Sequence, residues 1–449
     1  MARGKKFTSS KMIILPKEKH PFSVPGNWFW SDIDSINQYS GFSIDPMKQP
    51  DTTFELYSVP SSAVDYPEII TGSKIGSAKQ SVMKNDILLC KINPRINRVW
   101  KVFQHTDNEL VASSEWIIIR NTTMNPDYLM FCFRTQYFRE FMLSNVSGVG
   151  GSLMRAQPKF VKNYPIPIPP LAEQKRIVDR IERLFIKLDE AREKAQAVVD
   201  GFELRKSAIL HKAFTGELTE RWRKEHESKL DSWERVELAD ICKINPKKID
   251  TTGLSDNLEV SFFPMPALSE IYGEITNPQT RPLKEVRTGF TNFSEGDVVF
   301  AKITPCMENG KSAVIGKLVN NIGFGTTEFY VFRCGPKLYN RYLYHLLRDK
   351  HFRDEAKAVM AGAVGQQRVP KSFLETYSLY LPPVSEQKEI AQMLDEMFVK
   401  EMKVSEISES ILTQIDTMKK AILSRAFRGE LGTNEPAEES AVELLKTVL

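Results

Sequence analysis

The chain is poor in the residues that build covalent or metal-held scaffolds. It has 5 cysteines in 449 residues. They are Cys90, Cys132, Cys242, Cys306 and Cys334, and no two form a C-x-x-C pair, which argues against a disulfide framework and a structural zinc site. The 6 histidines, His20, His105, His211, His226, His345 and His351, show no metal-ligand spacing except His345 with His351, which fits a surface pair better. Long hydrophobic runs are missing: none approaches the roughly 18 residues of a membrane span. The basic start Met1-Ala2-Arg3-Gly4-Lys5-Lys6 leads only into a short apolar patch, Met12 to Leu15, too brief for a signal-peptide core. A cytoplasmic protein with no membrane partner is expected. Apolar content of 41% and charged content of 26% are ordinary for a globular chain, and the length allows about two or three domains.

Catalytic motifs are missing too. There is no G-x-x-x-x-G-K-[ST] phosphate loop, H-E-x-x-H zinc helix or G-x-S-x-G elbow. Glycine-rich stretches at 147–152 and 361–368 follow helical patterns rather than strands, the wrong setting for a nucleotide cradle. The N/D-P-P-Y/F motif of DNA amino-methylating enzymes is not met by Asn93-Pro94-Arg95 or Asn245-Pro246-Lys247. No catalytic residue and no metal site is assigned, and the chain reads as non-catalytic.

What is present is a repeat. Pro169-Pro170-Leu171-Ala172-Glu173-Gln174-Lys175 returns as Pro382-Pro383-Val384-Ser385-Glu386-Gln387-Lys388, and Ala213-Phe214-Thr215-Gly216-Glu217-Leu218 returns as Ala426-Phe427-Arg428-Gly429-Glu430-Leu431, both at an offset of 213. Between these marks each copy carries apolar residues in steps of four and three. The first runs through Ile177, Ile181, Leu184, Leu188, Ala191, Ala195, Val198, Phe202 and Ile209, with Arg205 out of type. The second runs through Ile390, Leu394, Met397, Val404, Ile411, Ile415, Met418 and Ile422, with Glu401 and Ser408 out of type and Phe398 and Ile407 expected to cover them. This is a heptad seam. Each helix would be about 60 Å long at the α-helical rise, and two such stripes are expected to pack on each other.

The repeat reaches into the globular parts with a drifting offset. Asn85-Asp86-Ile87-Leu88-Leu89-Cys90-Lys91 matches Gly296-Asp297-Val298-Val299-Phe300-Ala301-Lys302 at 211, Ser114-Glu115-Trp116 matches Thr327-Glu328-Phe329 at 213, and Tyr128-Leu129 with Arg134 matches Tyr342-Leu343 with Arg348 at 214. Loops tolerate insertions that a packed helix does not. The expected order is a basic N-terminal extension (1–19), a globular segment (20–168), a long helix (169–218), a charged connector (219–230), a second globular segment (231–381), a second long helix (382–431) and an acidic tail (432–449) with a short helix near Ala441 to Val448. Strands are expected at Trp116 to Ile119 and Phe329 to Phe332, and helices at Tyr128 to Phe141 and Tyr339 to Ala358.

Net charge is +4 overall, +6 over residues 1–170 and −5 over 384–449. A solvated surface explains so weak a bias by itself. More informative are polar and basic residues on loops at matched positions. Lys91, Asn93, Arg95, Arg98, Lys101, Arg155 and Gln157 in the first half answer to Lys302, Thr304, Asn309, Lys311, Gln366, Gln367 and Arg368 in the second. Lys and Arg neutralise phosphates, and Arg, Asn and Gln can read base edges through paired hydrogen bonds. On residue grounds two readings stay open: a reader of double-stranded DNA, and a coiled-coil scaffold that joins proteins without DNA.

The P-P-x-x-E-Q-K opening, the long helix, the A-F-x-G-E-L close and the twofold occurrence of the whole cassette resemble the specificity subunit of type I restriction-modification systems. The resemblance covers nearly the whole chain. It implies an α+β architecture with two mixed α/β target-recognition domains separated by two long helices in an antiparallel coiled coil, a pseudo-twofold internal repeat. It implies a single copy per complex that reads a bipartite DNA target and docks two methylating subunits, which use S-adenosylmethionine, and restriction subunits, which use ATP and Mg. No cofactor is implied in this chain itself.

Overall fold

In a computed structural model of the chain, the described residues are 13–144, 146–148, 154–227, 229–270, 273, 275–363 and 365–446. Most of the basic extension, the centre of the first glycine-rich stretch and the last three residues lie outside them. The chain divides into two compact units, one of residues 1–195 with 410–449, the other of 196–409. Each unit therefore takes the opening half of one long helix and the closing half of the other.

The first unit is mixed α/β. A five-stranded sheet runs in the order Ser43–Ile44, Lys79–Ser81, Glu109–Ala112, Thr53–Tyr57, Glu68–Thr71, with Thr53–Tyr57 parallel to Glu109–Ala112. A three-stranded antiparallel sheet places Ile87–Cys90 between Val99–Lys101 and Trp116–Ile119. Ile87, Leu88, Leu89 and Cys90 are all buried, which is why this strand reads as a continuous apolar run. Behind it lie helices Pro126–Phe133 and Gln136–Ser144. Asn125 starts the first of them by accepting from the amides of Asp127 and Tyr128 at 2.9 and 3.1 Å, with Pro126 just inside. The core joins Leu89, Tyr128, Phe133, Phe138, Tyr164, Ile177 and Ile181 to Leu423, Ala426, Phe427 and Ala441 from the far end of the chain.

The second unit has one four-stranded sheet in the order Cys242–Ile244, Phe329–Cys334, Val298–Ala301, Ser312–Val314, and another in the order Gln279–Pro282, Glu259–Phe263, Gly323–Gly325, Thr291–Phe293. Helices Asn340–Arg348 and Lys350–Ala358 back the first sheet, and Phe300, Tyr342, Leu347 and Phe352 pack with Leu210, Ala213, Ile390 and Leu394. In both units the one helix expected is two. In the first unit it breaks after Phe133, at Arg134 and Thr135, where Thr135 Oγ1 accepts from the Phe138 amide at 3.2 Å and so begins a new helix; in the second it breaks at Asp349.

The repeated Glu-Gln pair has a structural use. Glu173, Gln174, Glu386 and Gln387 are each fully buried. Trp28 Nε1 donates to Glu173 at 2.7 Å and Trp233 Nε1 to Glu386 at 3.0 Å. Gln174 accepts from the Asn125 amide at 2.9 Å and Gln387 from the Tyr339 amide at 2.8 Å. The long helix of each unit is thus tied to the first residues of its globular part and to the start of its first paired helix. In the second unit Arg223 and Thr219 also donate to Glu386, at 2.6 and 2.7 Å. In the first, residues after the long helix do this instead, Asn434 donating to Glu173 at 2.9 Å while Glu438 binds Arg176 at 2.6 Å.

Three expectations about the helices are corrected. The first long helix is Leu171–Asp200 followed by Phe202–Phe214, broken at Gly201, whereas Val384–Ala426 is continuous; glycine is a poor helix former, and Gln414 stands at the matching place. Arg205 and Glu401, both out of type, are partners at 2.7 Å, and Arg205 also donates to the Val198 carbonyl at 3.0 Å, next to the break. Ser408 is covered by its own hydrogen bond to the Val404 carbonyl at 2.8 Å, while Ile407 is exposed.

Of the seam residues, Ile177, Ile181, Ile390, Leu394 and Ile415 are buried, and Leu184, Leu188, Val198, Phe202 and Met397 are half-buried. Val404, Ile411 and Met418 are instead exposed, at 46, 38 and 48%. Both cores end near Phe185 and Phe398. Beyond them a helix has only a helix to lean on, and one neighbour shields a narrow stripe.

Candidate functional site

In the first unit the residues after the buried strand Ile87–Cys90 turn sharply, with Asn93 and Asn97 both in the left-handed region at φ 46° and 49°. Asparagine tolerates that conformation because its short side chain bonds locally; Asn97 donates to the Phe133 carbonyl at 3.0 Å. The turn is zipped to a distant segment: the Asn93 amide donates to the Met154 carbonyl and the Ala156 amide to the Lys91 carbonyl, both at 2.9 Å. Arg155, on that segment, faces Glu115 with two contacts of 3.3 Å.

The second unit builds the same object. The Thr304 amide donates to the Gln367 carbonyl at 3.0 Å and the Val369 amide to the Lys302 carbonyl at 2.9 Å. Arg368 grips Glu328 in a two-point pair at 2.9 and 2.8 Å. The Arg368 guanidinium holds the Glu328 carboxyl below its ordinary range, and the carboxylate raises Arg368 in turn. Asn93 Oδ1 and Thr304 Oγ1 are both shielded from solvent and have no hydrogen-bond partner among the described residues. These two atoms occupy the same place in the repeat.

The structure therefore brings Lys91, Asn93, Arg155 and Gln157 to one edge, and Lys302, Thr304, Gln366, Gln367 and Arg368 to its counterpart. Arg95 stands exposed in the turn Pro94–Ile96, and Arg98 lines a neighbouring cavity. Three residues are held elsewhere. Lys101 is paired with Asp127 and sits over the Phe103 ring, its side chain only 11% exposed. Asn309 donates to Glu270 at 3.0 Å and Lys311 lies 3.5 Å from the same carboxylate. Sequence reasoning missed Glu115 and Glu328 as the arginines' partners, although both stand in the matched Ser114-Glu115 and Thr327-Glu328 pairs that marked the repeat.

No group of three metal-ligating side chains occurs among the described residues, and none of their helices is long and apolar enough to cross a membrane. His345 is buried, bound to Asp395 at 2.9 Å and pushed down by burial, while His351 is exposed beside Glu355. Burial pushes the thiols of Cys132, Cys242 and Cys334 up, which suits packing rather than nucleophilic attack.

Comparison with known proteins decides the family. The family described as type I restriction modification DNA specificity domain matches residues 54–198 and 231–412, more than half of the chain and most of both units. This chain belongs to that family. Among curated relatives, the EcoEI and EcoAI type I restriction enzyme specificity subunits of Escherichia coli are each 32% identical over 260 residues, 49% of this chain. The match spans 43% and 44% of their lengths, less than half. Two solved structures share the fold. The HsdS subunit from Thermoanaerobacter tengcongensis is 21% identical, with 92% of this chain and 99% of that one aligned at a TM-score of 0.64. A chain from a type I R-M system structure is 20% identical, with 92% and 100% aligned at a TM-score of 0.69.

Proposed function

We propose that this chain is the DNA-recognition subunit of a type I restriction-modification complex and has no catalytic centre of its own. Each globular part reads one half of a bipartite target, and the two long helices, as an antiparallel coiled coil in a pseudo-twofold chain, set the spacing between the half-sites. The observation that carries the reading is the zipped turn built twice, each with a basic edge, an Arg–Glu pair and an orphaned polar atom, on a chain of this family. Such an edge suits backbone contacts that fix register beside a few base contacts that specify sequence.

Supporting the antiparallel direction, Arg192 meets Asp416 and Asp189 meets Lys419 in the first unit, so rising numbers on one helix face falling numbers on the other. Two methylating subunits, bearers of S-adenosylmethionine, would dock on the exposed faces of the long helices. Restriction subunits would bring ATP and Mg. The test is co-expression of the chain with its neighbouring genes, followed by DNA binding and sequencing of methylated adenines in the host. A co-purifying methyltransferase and a two-part methylated motif are expected. A chain that assembles with protein partners but shows no salt-dependent DNA affinity would instead be a scaffold.

A further inference from the structure

Next to the zipped turn of the first unit lies a cavity of about 560 Å³ whose lining includes Arg98, Arg134, Arg139 and Lys420, with Asp65 the one carboxylate in it. Asp65 and Asp127 attract Arg134, though none of the four cations stands in a close ion pair among the described residues. Arg134 donates to the Val99 carbonyl at 3.1 Å. Arg139 Nε is shielded from solvent and has no hydrogen-bond partner among the described residues. Like charges at one cavity repel, and a shielded Arg139 Nε without an acceptor is uphill as it stands, so a bound anion would relieve both.

The second unit holds the matching cavity, of about 430 Å³, with Arg348 and Arg353 where the first has Arg134 and Arg139. There the chain supplies its own anions. Lys206 lies 3.6 Å from Glu203, Lys357 is paired with Glu308, and Lys350 with Asp354. Arg348 donates to the carbonyls of Gly310 and Glu270, and Arg353 to that of Glu308. In the second unit each lysine of the cavity thus has a carboxylate of its own, five cations to three carboxylates, whereas in the first four cations share Asp65 alone.

We infer that the cavity of Arg98, Arg134, Arg139 and Lys420 is a seat for a phosphodiester of the DNA backbone flanking the half-site that the first unit reads. This rests on the DNA-recognition reading above. Phosphate is favoured over the acidic side chain of a protein partner because Arg98 belongs to both the zipped turn and the cavity. A backbone laid along the turn therefore continues into it. Planar guanidinium groups match phosphate oxygens in pairs, and Lys420 adds a point charge from the long helix. DNA is then gripped unequally, with an added anchor on one flank only.

The test is the salt dependence of duplex DNA binding by the full chain, with any co-purifying subunits retained. Each lost phosphate contact lowers the slope of log affinity against log salt by about 0.9. Arg139→Gln and Lys420→Gln should each show that loss with sequence preference unchanged, and Arg353→Gln in the second unit should not. Lys420 lies on the exposed face of its helix, so its variant decides the matter if Arg139→Gln folds poorly. Unchanged slopes in a folded Lys420→Gln variant that still binds its sequence overturn the phosphate seat and leave the recognition reading standing. Unchanged slopes with loss of a co-purifying subunit overturn it in favour of an acidic protein segment. A wild-type preparation without DNA affinity removes both the seat and the reading.

Discussion

Asn93 and Thr304 pose one problem in two side chains. A polar atom shielded from water without a partner costs about 1–3 kcal/mol, and here the cost recurs at the same place in both units. Packing has no use for it, whereas a bound hydrogen-bonding group would offset it. Replacing Thr304 by valine removes the hydroxyl and keeps the shape, so Thr304→Val should raise stability by up to about 1 kcal/mol in urea unfolding. If Thr304 contacts a base it should also weaken target binding by about 1–3 kcal/mol. Stability and affinity falling together would instead make Thr304 a structural residue. Arg95 is the complementary case. It is exposed on its turn, so Arg95→Ala should leave unfolding unchanged and still cost about 1–3 kcal/mol of target affinity if it reads a base. Unchanged affinity in a titration with cognate duplex would exclude Arg95 from the interface.

Along the long helices, one seam position is filled by different chemistry in the two units. The second unit places Arg205 against Glu401 at 2.7 Å; the matching residues of the first, Met418 and Leu188, line one apolar groove. Geometry is repeated while chemistry is exchanged. Arg205→Met and Glu401→Leu should each destabilise, by about 1 kcal/mol or less because the pair is about a third exposed. The double variant should recover most of that loss, since it installs the pair the other unit already uses. A double-mutant cycle reads the coupling directly, and additive losses would refute the equivalence. The ends of these helices were legible because the P-P and A-F-x-G-E-L marks are sequential. The pairing of Arg205 with Glu401 was not, because each breaks a one-dimensional apolar pattern and becomes reasonable only beside the other. Glu173 and Glu386 were legible as a motif but not as a use: no periodicity reports a carboxylate that accepts from a tryptophan about 150 residues away. The zipped turns were half legible. Lys91 and Lys302 stood out through the repeat, but the backbone bonds joining them to Arg155 and Arg368 connect loops that sequence leaves apart.

For the molecule as a whole, chain order and unit membership disagree. The first unit closes on residues from the far end of the chain, Ala441 donating to the Asn27 carbonyl at 2.9 Å. The second is drawn from one continuous stretch. Any change in helix length must therefore respect both copies of the repeat at once. A seven-residue insert after Val198 alone keeps the heptad phase of one helix but shifts its partners, so either the pairs of Asp189 and Arg192 or that of Arg205 must break. A second insert of the same length after Glu409, on the facing part of the other helix, keeps all three pairs and adds about 10 Å to both helices. If the helices set the spacing between half-sites, that addition corresponds to about three base pairs at 3.4 Å each. Sequencing of methylated adenines in a host carrying the double insert should show the two half-motifs unchanged and the gap between them longer by about that amount. The single insert should give little or no modification, since its helices lose register. An unchanged gap in the double insert would mean that the readers take their spacing from another part of the complex, and the helices would then keep only their packing role.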